Sequence, residues 1–196
     1  MNTIYTDKQK ALDRLIESRL PDKRRRHSLG VARMAVDLAR HYGLDEGKAD
    51  FAGRYHDIAK AFTVEESDEL VRKYGLPDKL LGNRSIAHSK VGAALLEHEF
   101  GVTDPDILAG VANHTTGRAG MSLFEEIIFV ADAVDETRDY HDVQYYRDLA
   151  FEDIDRACLE IMDFNIEHVK SRGKVLDEDT LSAREYIIEK IRSRKT

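Results

Sequence analysis

The run Ala52-Gly53-Arg54-Tyr55-His56-Asp57-Ile58-Ala59-Lys60 decides how the rest of the chain is read. A histidine beside an aspartate on a helix offers one ring nitrogen and one carboxylate to a metal ion, and the carboxylate keeps a second oxygen with which to bridge to another ion. Ala49, Ala52 and Gly53 precede His56 at the spacings of one helical face, so the imidazole falls on a stripe of small residues turned toward the core. The dipeptide alone is not diagnostic. His141-Asp142 repeats it in a polar stretch without apolar periodicity, where it reads as a solvated pair. His56 by itself also fits a core histidine bonded to a carbonyl.

Composition bounds the answer. The 196 residues, 42% hydrophobic and 34% charged, suit one domain with a substantial core, spanning 1–196. Its metal-binding part is expected at about 21–140, with helices from 141–196 packed on it. No apolar run approaches the roughly 18 residues of a membrane span, and the first residues lack a signal-peptide core, so a cytoplasmic protein without membrane contact is expected. A single cysteine, Cys158, excludes an intrachain disulfide and a thiolate zinc cluster, and its place on an apolar stripe reads as buried. A net charge of −7 argues against general binding to nucleic acid. An anionic small molecule would need a local positive site, which metal ions supply.

Three prolines, twelve glycines and little β-branched alternation predict an all-α fold. A first helix is expected from Thr6, with Gln9 as its capping-box partner. After Pro21 the basic run Lys23–Arg26 leads into a helix carrying Val31, Ala35, Leu38, Ala39 and Tyr42, closed by Gly43, with His27 one turn ahead on the same face. Arg24 to Arg26 read as a solvated run or as containing one phosphate-facing member. The next helix is capped by Asp45 and is expected to contain His56-Asp57, with Lys60 either a surface lysine or a group reaching toward what the metal holds. Thr63 and Glu66 form a capping box. The helix from Ser85 places His88 inward and His98 outward, and Asp104-Pro105 opens a helix in which Val111 and His114 share a face. The loop from Thr115 to Met121 has two hydroxyls, two glycines and Arg118, a composition that fits a phosphate or an ordinary turn. Ser122 and Glu125 cap a helix with Asp132 and Asp135 on the face of Ile128, and Arg138 is placed to pair with Asp135 or to address a phosphate. Beyond Asp142 two helices are expected, the last from Asp179-Thr180, with little that suggests chemistry.

Five predicted helices thus each present a metal-competent group on an apolar face: His27, His56 with Asp57, His88, His114 and Asp132. Four histidines and two carboxylates without a thiolate suit a first-row divalent ion in five- or six-fold coordination. If Asp57 bridges, six ligands serve two ions. Ions about 3.5–4 Å apart are the arrangement that activates water at neutral pH for in-line attack on phosphorus.

The ordered set His27, His56-Asp57 and Asp132 resembles the signature of the HD-domain metal-dependent phosphohydrolases. Arg26-His27-Ser28-Leu29-Gly30-Val31-Ala32, His56-Asp57-Ile58-Ala59-Lys60, His114-Thr115-Thr116-Gly117-Arg118 and Val130-Ala131-Asp132 are similar, in order and spacing, to the YqeK-type symmetrical diadenosine tetraphosphatases of bacteria. The resemblance covers nearly the whole chain. It implies one all-helical HD bundle with a buried dinuclear site, two divalent ions (iron first, with manganese, cobalt or zinc as alternatives), and cleavage of diadenosine tetraphosphate into two ADP. By the same motifs His27, His56, Asp57 and Asp132 would hold one ion, and His88 and His114 the second through Asp57. Catalytic roles would fall to Asp57, Lys60 and Asp135. Substrate contacts would come from His27, Lys60, His88, His114, Thr115, Thr116, Gly117, Arg118, Asp132, Thr137 and Arg138, in a monomer or homodimer. The remaining readings are an HD phosphohydrolase of a deoxynucleoside triphosphate, guanosine tetraphosphate or a monophosphate, and a nucleotide-binding sensor without turnover.

Overall fold

A computed structural model of the protein describes residues 3–174 and 176–194, with side chains described from residue 9 onward. Among the described residues it is all helical, as the periodicity predicts: α1 (Thr3–Arg19), α2 (Asp22–Tyr42), α3 (Glu46–Tyr55), α4 (Val64–Lys73), α5 (Arg84–His98), α6 (Pro105–Asn113), α7 (Leu123–Val134), α8 (Val143–Glu152), α9 (Ile154–Ser171) and α10 (Glu178–Ser193), with a 3₁₀ turn at Asp78–Leu80. Among the described residues no helix is long and apolar enough to cross a membrane.

The core is built around α7. Ile127, Ile128, Val130, Ala131 and Val134 are all fully buried, and the helix packs on α2, α3, α6, α8 and α9. The small-residue stripe of α3 does what its spacing predicts. A Cβ at Gly53 would stand 2.6 Å from Ala32 Cα, so only glycine lets α3 lie this close to α2. Two of the three expected capping boxes form, Thr63 with Glu66 and Ser122 with Glu125, and Asp104 caps α6 with Pro105 in its first turn. α2 stops at Gly43, whose φ of 72° is the left-handed conformation that glycine adopts without penalty. Cys158 is buried.

Four expectations are corrected. α1 already runs by Thr3, so Thr6 is inside the helix and does not cap it. The basic run Lys23–Arg26 forms the first turns of α2, which begins at Asp22, one residue past Pro21. α3 ends at Tyr55, with His56 as its C-cap and Asp57 in the following turn. There the Ile58 amide donates to the Tyr55 carbonyl at 3.1 Å and the Lys60 amide to the Asp57 carbonyl at 2.9 Å, a tighter winding than the α-helix. Three helices, not two, follow Asp142. The chain breaks at Asp153, which turns extended (φ −154°, ψ 97°) and caps α9 by accepting from the Arg156 amide. The last of the three starts at Glu178, capped by Asp177.

Candidate metal centre

Helix ends set the orientation of the central imidazoles. His56 and His114 are the C-caps of α3 and α6, where the last carbonyls lack intrahelical donors. Each ring turns back onto its own helix: Nδ1–H of His56 donates to the Gly53 carbonyl at 2.7 Å, and that of His114 to the Val111 carbonyl at 2.7 Å. A carbonyl only accepts, so the proton sits on Nδ1 and the Nε2 lone pair points into the interior. His88, buried on α5, makes the corresponding 3.2 Å contact to the Arg84 carbonyl. His27 on α2 has a carboxylate behind it, with Nδ1 3.0 Å from Asp135 Oδ2, and its Nε2 faces Asp132 Oδ1 at 2.9 Å.

Asp57 divides these groups into two sets. Its Oδ1 is 3.3 Å from His88 Nε2 and 3.6 Å from His114 Nε2, while Oδ2 is 3.7 Å from His56 Nε2. His56 Nε2 is in turn 3.7 Å from Asp132 Oδ1. Three overlapping trios, His27/His56/Asp57, His56/His114/Asp132 and Asp57/His88/His114, each have ligand atoms within 4.8 Å of one another. The donor set fits a cation. His56 Nε2 is buried with no hydrogen-bond partner, and the Nε2 atoms of His88 and His114 approach to 3.2 Å beside a carboxylate oxygen. Acceptors crowded this closely repel unless positive charge lies among them. All six expected ligands are therefore brought together, at separations that a divalent ion would span.

The electrostatics agree. Burial pushes His56 and His88 down to about 4, leaving them neutral, the form that ligates. Burial works to raise the Asp57 carboxyl, yet His56, His114, His88 and Lys60 hold it well below the ordinary carboxylate range. Asp132 is likewise held low against burial by His27, His56 and Arg138. His27 goes the other way. Burial opposes its charge, but Asp132 and Asp135 together raise it to about 9.

Cations ring the cluster. Lys60 Nζ lies 3.0 Å from His88 Nε2 and 3.9 Å from Asp57 Oδ1, and burial lowers its pKa. Arg138 donates to Asp132 Oδ1 at 2.8 Å and meets Asp135 at 3.2 Å. Arg24, which the sequence left within a basic run, donates to Asp57 Oδ2 at 3.1 Å. Asp135 is fully buried behind His27, accepts from the Thr137 amide and hydroxyl at 2.8 and 2.6 Å, and reaches the cluster through that ring and through Arg138. A Cβ at Gly30 would stand 2.6 Å from Asp135 Oδ1, so glycine in the Arg26–Ala32 run makes room for this carboxylate.

The cluster opens on a cavity of about 670 Å³, with Lys60, His114, Thr115, Thr116, Asp132 and Arg138 on one side. Asp132 is 25% exposed toward it. The far wall comes from the C-terminal third, which the sequence left without chemistry: Tyr140, Phe164 and His168 stack at interplanar angles of 17° and 16°. Thr115 Oγ1 lies 3.1 Å from His88 Nε2, whereas the buried Thr116 hydroxyl donates to the Gly117 carbonyl. Gly117 (φ 67°) packs against Met162 and Ala183. Arg118 is not brought to the cluster. Its guanidinium makes a two-pronged pair with Glu125, both contacts 2.7 Å. Thr137 also stays on the Asp135 side. His141 is 94% exposed and remote from the cluster, as its polar surroundings predict.

The HD-domain family matches residues 24–137, from Arg24 through Thr137, which bonds Asp135. The chain is 32% identical to the symmetrical bis(5'-nucleosyl)-tetraphosphatase of Bacillus subtilis, over 88% of this chain and 94% of that one. The enzyme of the same name from Staphylococcus aureus is 39% identical over 76% of this chain and 78% of its own. A crystal structure from Clostridium acetobutylicum, described as a predicted HD superfamily hydrolase involved in NAD metabolism, superposes with a TM-score of 0.88 at 36% identity, covering 93% of this chain and 97% of that one. The chain belongs to the HD-domain family, in its YqeK-type branch.

Proposed function

We propose that this HD-domain protein is a metal-dependent hydrolase that splits diadenosine tetraphosphate symmetrically into two molecules of ADP. The observation that carries the reading is the division of Asp57 between two sets of proton-free imidazole nitrogens, in a chain whose relatives from B. subtilis and S. aureus bear the name of that activity. His27, His56, Asp57 and Asp132 would hold one divalent ion, and Asp57, His88 and His114 a second. Bound there, such ions lower the pKa of water toward neutrality and offset charge on phosphoryl oxygens. Imidazole and carboxylate ligands accommodate iron, manganese, cobalt or zinc, and the resemblance to the YqeK-type enzymes puts iron first.

The chain's own groups do the rest. Asp135 holds the His27 ring by its Nδ1–H, the carboxylate–histidine support that fixes a ligand's tautomer and direction. It is thus a positioning residue. Lys60 and Arg138 line the cavity beside the cluster and supply donors where negative charge grows on the tetraphosphate. Thr115, with its hydroxyl beside His88, and the Thr116-Gly117 backbone form the adjoining rim. The aromatic wall offers a face on which an adenine stacks.

The chain acts as a cytoplasmic enzyme on a soluble dinucleotide, as a monomer or homodimer, independently of nucleic acid and membranes. A net charge of −7 supports this, because polyanionic surfaces are repelled while a small polyphosphate is drawn to the local cations. Anaerobically purified protein supplied with Fe²⁺ is expected to convert diadenosine tetraphosphate to ADP alone. Equal yields of AMP and ATP would overturn the assignment.

A further inference from the structure

A second cavity, of about 560 Å³, lies on the other side of Lys60. Arg19, Arg24, Lys60 and Arg84 line it, together with Leu20, Pro21, Ala61 and Ser85. Lys60 and Ser85 belong to both cavities, so the two meet at this pair. Both volumes fall within the roughly 300–1,000 Å³ typical of small-molecule sites. Their chemistry differs: aromatic rings wall the first, whereas four cations and no carboxylate line the second.

These cations are not all consumed by internal pairing. Arg84 donates to the Phe62 carbonyl at 3.1 Å and has no carboxylate partner among the described residues. Arg24 reaches from this cavity to Asp57 Oδ2, the oxygen that the first ion would claim, and an ion there would free its guanidinium for another anion. Arg19 pairs with Glu66 only where both are well exposed. Ser85 stands in the first turn of α5, a 15-residue helix whose N-terminal amides favour negative charge. In a chain of net charge −7, such a concentration of cations draws an anion to this cavity.

Resting on the symmetrical cleavage proposed above, we propose that this basic cavity is a second nucleoside-diphosphate subsite. One ADP half lies in the aromatic-walled cavity, the scissile centre passes the metal cluster at Lys60, and the other half's phosphates are held by Arg24 and Arg84. A substrate with two equal halves then meets two unequal pockets, one reading the base and the other the charge.

The test is a calorimetric titration of the metal-loaded protein with ADP, beside kinetics with diadenosine tetraphosphate. Two ADP per chain are expected for the wild type and one for Arg84→Ala, with KM for the dinucleotide raised about tenfold and Arg84→Lys restoring part of the loss. A metal content equal to wild type shows that Arg84→Ala has folded around its centre, and Arg24→Ala gives a second route to the same readout. One ADP per wild-type chain, or two in Arg84→Ala with an unchanged KM, would overturn the subsite and leave the hydrolase reading intact. A wild type that binds two ADP, loses one in Arg84→Ala, yet releases no ADP from the dinucleotide keeps the subsite and sinks the hydrolase reading.

Discussion

Two buried groups of charges hang from α7, and they solve the same problem in opposite ways. Near its N-terminus Glu126 is fully buried and meets Lys190 at 2.7 Å, and Lys190 also pairs with the buried Asp155 at 2.8 Å. Arg194 of the terminal turn pairs with Asp155 as well. Near the C-terminus of α7, Asp132 faces His27 at 2.9 Å and His56 at 3.7 Å and accepts from Arg138 at 2.8 Å. The first group closes its charges with the chain's own cations and ties α10 to α7 and α9. In the first group the atoms without a hydrogen bond are carboxylate oxygens, Glu126 Oε2 and those of Asp155, which sit against ammonium and guanidinium groups. In the second, His56 Nε2 has no partner and the His88 and His114 Nε2 atoms converge at 3.2 Å. A buried carboxylate is costly in either place, so the difference marks one as structural and the other as built to receive a cation.

Removing the bridging acid breaks the comparison most severely. Asp57→Ala is expected to release bound metal and to lower turnover by at least about 10²–10³-fold, the range seen when one charge-stabilising group is lost at an active site. Metal analysis and initial rates on the same preparation decide it, and retained metal with retained activity would contradict the two-set geometry. Lys190→Met should do the reverse. It strands Glu126 and Asp155 and is expected to cost roughly 2–4 kcal/mol of stability, discounted for the partial exposure of the lysine, while metal content per folded chain stays at the wild-type value. Denaturant melts show it.

Metal removal sharpens the contrast through pH. His27, raised to about 9, contributes stability that is complete below pH 6.5 and lost as pH rises through 9. His56 and His88, lowered to about 4, contribute stability present above 6.5 and lost as pH falls through 4. The imidazole contribution in chelator-treated protein thus peaks near pH 6.5, and both flanks should flatten in melts of the metal-loaded form. The smallest effect is reserved for the duplicate dipeptide. His141→Ala should change stability by no more than about 0.5 kcal/mol and leave activity alone, since exposed substitutions away from special contacts are near neutral.

Much of this was legible in the sequence for a physical reason. Imidazoles and carboxylates at apolar spacings announce themselves, because burying them without a partner is costly, and capping residues obey local rules that tertiary packing seldom overrides. The C-terminal third was less legible. Asp153 breaks the chain without glycine or proline, and Tyr140, Phe164 and His168 stack only after α8 and α9 have folded together, so their spacing carried no signal. Arg24 was hidden by its neighbours, since a basic run gives no sign of which member turns inward. Arg118 misled in the opposite sense: Glu125, visible as a capping partner of Ser122, also takes the Arg118 guanidinium.

Asp57 is expected to hold one cation with each oxygen. Anomalous diffraction at the iron edge, on crystals grown anaerobically from Fe²⁺-loaded protein, tests it directly. Two peaks are expected, one among His27, His56, Asp57 and Asp132 and one among Asp57, His88 and His114. A single peak contacting only one Asp57 oxygen, or none at all within the cluster, would contradict the account.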